Sequence, residues 1–116
     1  MGQWMQLTAA DGFRLAAYRA DPTGHGKARG GLVVAQEIFG VNSHIRSVCD
    51  GFAADGYVAI APALFDRYER DVDIGYTPED IAHGRELKAK AAAAAKTPGA
   101  VGTPAPAPPA AAIPTP

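Results

Sequence analysis

Apolar and polar positions change their spacing several times along this chain, and each change predicts an element. Gln3 to Thr8 carries Trp4, Met5 and Leu7 among polar residues and reads as a strand. Asp11-Gly12 is a turn signal, and Phe13 to Arg19 follows as a second strand, so the two predict a hairpin. Asp21 to Arg29, broken by Pro22, Gly24 and Gly26, reads as a loop. Gly31 to Ala35 is a short unbroken apolar run, the pattern of a strand buried on both faces. Ile45, Val48, Cys49 and Phe52 then recur at i, i+3, i+4 and i+7, which is one stripe of a helix. Asn42 or Ser43 can cap its start, and Asp55-Gly56 can close it. Tyr57 to Ala61 is a further buried strand, stopped by Pro62. Strand, helix and strand within about 30 residues make a right-handed βαβ unit. A charged loop, Asp66 to Asp73, leads to a last helix from about Glu79 to Lys90, with Pro78 in its first turn. The class is α/β, a hairpin plus βαβ, with a mostly parallel sheet.

Composition divides the chain in two. Residues 91–116 hold 11 Ala and 7 Pro in 26 positions, and Lys96 is their only charge. Ala91 to Ala95 can extend the preceding helix by about a turn. Beyond them proline removes N–H donors and pushes its predecessors to extended backbone. With Val101 and Ile113 as its only large apolar groups, this stretch cannot offset its ordering entropy. The expected division is therefore a packed partial domain over 1–90 and a disordered Ala/Pro-rich tail over 91–116.

Charge and cysteine content remove several functions. Eleven basic and twelve acidic residues leave a net charge of -1, so no basic field exists for nucleic acid. One cysteine allows neither an internal disulfide nor a Cys-rich zinc site. No unbroken apolar run reaches the roughly 18 residues of a membrane span, and no secretory signal pattern opens the chain, so the cytoplasm is the expected compartment. His25, His44 and His83 stand at no metal-ligand spacing, and no metal or cofactor is expected. Asp66, Glu69, Asp71 and Asp73 lack the glycine and terminal Glu of a calcium loop and read as solvated. Ser47-Val48-Cys49-Asp50-Gly51 is near a nucleophile elbow, yet Cys49 falls mid-helix on the apolar stripe and reads as core.

One stretch points to chemistry. Gln36-Glu37-Ile38-Phe39-Gly40-Val41-Asn42 lies where a strand hands over to a helix, the edge of an α/β sheet at which ligands bind. Glu37 is there either a site acid or a solvated loop acid. Val34 to Asn42, His44-Ile45-Arg46 and Gly56 to Pro62 resemble the dienelactone hydrolase family, a branch of the α/β-hydrolase fold, and the likeness extends over about residues 5–90. The resemblance implies hydrolysis of small-molecule lactones or esters by a nucleophile on a G-x-C-x-G elbow with Asp and His. It implies that Glu37 is the acid contacting the nucleophile, and that the Ile38 N–H forms part of the oxyanion hole. The family's carboxylate-binding arginine falls where this chain has Gly84, with Arg85 one place off, so that role is not carried over. It also implies a strand order of 1-2-4-3-5 for the early strands.

No G-x-S-x-G or G-x-C-x-G occurs in the chain. The expectation is an N-terminal fragment of such a hydrolase, truncated and inactive alone, its tail resembling an out-of-frame reading of GC-rich coding sequence. Two alternatives stand beside it: a non-catalytic interaction module with a Pro-rich docking tail, and one half of a two-chain enzyme. Without a fifth strand, Gly31 to Ala35 becomes an open edge, and a marginal or insoluble isolated chain is expected.

Overall fold

The computed structural model describes residues 2–24 and 26–96. Strands β1 (Gly2–Thr8) and β2 (Arg14–Ala20) form the antiparallel hairpin, paired from Gly2 with Ala20 to Thr8 with Arg14. Gly12 holds φ +89 in its turn, a left-handed value natural to glycine. The Asp11 carboxylate accepts the Phe13 N–H and pairs with Arg67 at 2.8 Å.

Strand β3 (Gly31–Val33), helix α1 (Ser43–Ala54) and strand β4 (Val58–Pro62) form the βαβ unit, with β3 and β4 parallel. Gly56, at φ +99, turns the chain from α1 towards β4. The four strands make one sheet in the order β1-β2-β4-β3, as the family resemblance implied. Two expectations are corrected. The sheet is mixed rather than mostly parallel, because β2 runs antiparallel to both β1 and β4. And β3 is not buried on both faces: it lies at the sheet edge, as expected without a fifth strand, and Val33 is 66% exposed. An unbroken apolar run marks a strand, but periodicity does not report how far its neighbours will cover it.

The core lies between the sheet and α1, which packs on β4, β2 and β1. Ala20, Ala59 and Ala61 are fully buried against it, and these small side chains let the helix come close. The buried stripe of α1 is Ile45, Cys49 and Ala53, with Phe52 turned to its exposed margin against Tyr57. Asn42 is the cap, its Oδ1 accepting the Ile45 N–H at 3.1 Å. The Tyr18 hydroxyl donates to Asp50 at 2.8 Å and ties β2 to α1.

Helix α2 (Pro78–Lys96) includes Ala91 to Ala95, as their helix propensity predicts. Thr77 caps it, its Oγ1 accepting the Asp80 N–H at 3.1 Å. Of the tail expected over 91–116, residues 91–96 are the end of α2, while 97–116, and His25, lie outside the described residues. Among the described residues no helix is long and apolar enough to cross a membrane.

Candidate active site

The loop from Val34 to Asn42 joins β3 to α1 at the C-terminal end of the parallel pair. Val34 donates to the Ile60 carbonyl at 2.8 Å and carries the pairing one residue past β3. The Gln36 side chain then takes over. Its Oε1 accepts the Leu64 N–H at 2.8 Å, and its Nε2 donates to the Glu37 carbonyl at 3.0 Å. One amide thus braces the loop against the chain leaving β4. No period or spacing marks Gln36 for this task, because its partner is 28 positions away.

The turn itself is closed by Gly40, whose N–H donates to the Glu37 carbonyl at 3.1 Å. Gly40 sits at φ +86, and a Cβ there would run into the backbone of Val72. The segment after Asp71 lies across this turn. Ile74 donates to the Phe39 carbonyl at 3.1 Å, Tyr76 meets the Phe39 ring edge-on at 4.4 Å, and Asn42 donates to the Tyr76 hydroxyl at 3.1 Å.

Glu37 and Ile38 therefore lie side by side on a turn held from both directions. Glu37 is exposed, and among the described residues its carboxylate has no hydrogen bond or ion pair. Ile38 is half-buried, and its N–H donates to no protein acceptor among those residues. Residues 36–39, Leu64, Phe65 and Lys88 line a cleft of about 530 Å³. A fixed, unspent N–H beside an apolar cleft is what stabilisation of a developing oxyanion requires.

A second cleft, of about 570 Å³, lies among Trp4, Val41, Arg46, Asp66 and Asp73. Its polar groups already serve the fold. Arg46 donates to the Val41 carbonyl at 2.8 Å and pairs with Asp73 at 3.1 Å. Asp66 corrects the expectation of a solvated acidic loop. It is buried, and its Oδ2 accepts the Ala16 N–H at 2.7 Å. Its partner lies fifty positions away, beyond the reach of local sequence reading.

Cys49 is fully buried mid-helix, as its place on the apolar stripe predicts. Burial, and then the neighbouring Asp50 charge, push its thiol up to about 11. His44 is exposed in the first turn of α1, and His83 meets Glu69 at 2.9 Å. Among the described residues no group of three or more His, Cys, Asp and Glu side chains is placed to hold a metal.

A mixed sheet carrying a braced strand-to-helix loop at its C-terminal edge defines an α/β protein with its candidate site on that loop. The family model described as "Dienelactone hydrolase family" matches residues 15–101, and the chain belongs to that family. A protein of Synechocystis sp. with the name "Putative carboxymethylenebutenolidase" is 51% identical over 75 residues, 65% of this chain and 30% of its own length. One of the same name from Azospirillum brasilense is 50% identical over 70 residues, 60% of this chain and 30% of its own length. The chain thus spans about a third of these relatives. A solved structure from Klebsiella pneumoniae, described as "Putative Dienelactone Hydrolase", superposes with a TM-score of 0.54 at 31% identity, covering 72% of this chain and 35% of that one.

Proposed function

We propose that residues 2–96 supply the oxyanion side of a hydrolase site for small-molecule lactones or esters. The observation that carries this is the Ile38 N–H, unspent on any described acceptor and held at a cleft by the Gln36 brace. When a nucleophile adds to the ester carbonyl, the carbonyl oxygen gains the negative charge, and the Ile38 N–H donates to it. Such a donor lowers the barrier by about 3 kcal/mol. Glu37 is the adjacent acid, and its unpaired carboxylate is free to contact the nucleophile and influence its ionisation. Both roles are extended to this chain from the family resemblance.

The nucleophile, Asp and His are proposed to come from outside this chain. Cys49 does not substitute for them: with its thiol at about 11, roughly one molecule in ten thousand holds a thiolate at pH 7. A buried free thiol also fits a reducing compartment such as the cytoplasm. The chain alone is expected to show no turnover of aryl esters or lactones. Turnover that disappears in Cys49→Ala would overturn this.

A second reading, half of a two-chain enzyme, is favoured by the open edge at β3. Co-expression with the remaining part of the Synechocystis relative tests both readings. Activity in the assembled pair that falls about 10²- to 10³-fold in Ile38→Pro, which lacks the N–H, supports the oxyanion role. Unchanged activity in that variant removes it.

A further inference from the structure

The geometry points to Gly84 of α2 as a positioning residue for the Ile38 peptide, an inference that rests on the oxyanion role proposed for Ile38. Gly84 is the one glycine in a helix otherwise rich in Ala, Leu, Lys and Glu. A glycine in a helix interior is unfavourable against alanine, so propensity does not explain its presence. Its surroundings do. Gly84 is buried, and a Cβ built there would run into the carbonyl oxygen of Ile38 and lie 3.1 Å from both its C and its Cβ atoms. The carbonyl is backbone, so it cannot swing aside as a long side chain would.

This contact has a specific consequence. The Ile38 Cα carries three heavy substituents: N, C and Cβ. The backbone of α2 lies against two of them. With C and Cβ held, tetrahedral geometry fixes the position of the third, the nitrogen from which the N–H projects. Gly40 closes the other flank, where the Val72 backbone occupies the space a Cβ would need. The oxyanion turn is therefore set between two close backbone approaches, each possible only at glycine. Of the two, Gly84 acts on Ile38 itself. Its helix contributes no hydrogen bond to the turn among the described residues, so contact alone carries the effect.

Amide NMR on the full 116-residue chain tests this. Gly84→Ala is expected to shift the Ile38 and Phe39 amide signals and to lower the backbone order parameter at Ile38 from about 0.85 to below about 0.6. Ile45 and Cys49 in α1 stay in place. Ala82→Gly, on the exposed side of the same helix, weakens α2 without moving the Ile38 and Phe39 signals. Gly84→Ala that leaves both amides unmoved and raises the melting temperature, as alanine does in an ordinary helix, overturns the inference. Should Gly84→Ala not fold, the wild-type chain decides. A backbone order parameter of about 0.85 at Ile38 supports positioning, and one below about 0.6 overturns it. These readouts are independent of turnover, so positioning can stand even if Ile38→Pro shows that the oxyanion role is absent.

Discussion

At the scale of single residues, burial and long-range partners decide what each group does. Asp66 is the clearest case. Its carboxylate satisfies the Ala16 N–H in the β2 strand of the hairpin, so Asp66→Ala leaves a part-buried donor unpaired. The expected cost is about 1–3 kcal/mol in urea unfolding. Cys49 carries a pH dependence. Its native thiol ionises near 11, against an ordinary value of 9.0. The native state therefore holds its proton where the unfolded chain has begun to lose it, and stability falls as pH rises from about 9 to about 11. Melting curves across that window are expected to decline in the wild type and to decline less in Cys49→Ala. The place of Cys49 in the core was legible, because its neighbours repeat at helical spacing. The burial of Asp66 was not, because nothing near it in sequence announces Ala16. Gly84 was equally silent: a residue without a side chain leaves no mark on an apolar pattern.

At the scale of elements, local signals specify each helix and strand, and contacts between distant segments shape the junctions. The hairpin, the βαβ unit and both helices follow from turn residues, apolar spacing and caps. Asn42 was one of two candidate caps, and its geometry shows why it prevails: Oδ1 serves the helix while the amide nitrogen reaches Tyr76. Asn42→Ala is expected to cost about 1 kcal/mol in thermal or urea unfolding. Asn42→Ser keeps a capping oxygen and should recover most of that loss. The helical stripe drifts, so Ala53 is buried where Phe52 was expected, because positions four apart follow the contact line more closely here than positions three apart. The roles proposed for Glu37 and Ile38 come from family likeness. The Gln36 brace and the segment across Gly40 were not legible in the sequence, since both depend on chain folded back from residues 64 and 72–76.

For the whole molecule the open edge dominates. β3 is three residues long and pairs only on its β4 side among the described strands, with Val33 exposed. Unpaired strand edges recruit other strands. Sedimentation of the isolated chain is expected to show association that rises with concentration, and Val33→Lys to suppress it. A monodisperse wild-type monomer with a cooperative melt would contradict this. The open edge was foreseen from strand order, but the mixed direction of the sheet was not.

The amide of Gln36 also has a consequence in time. It bonds to Leu64, so the turn bearing Ile38 cannot take its final form until β4 has been laid beside β3. A chain that has closed its hairpin, whose contacts are local and quickly made, still has no site. Competence at this loop is therefore a late event in folding, reached by a contact between distant parts of the chain.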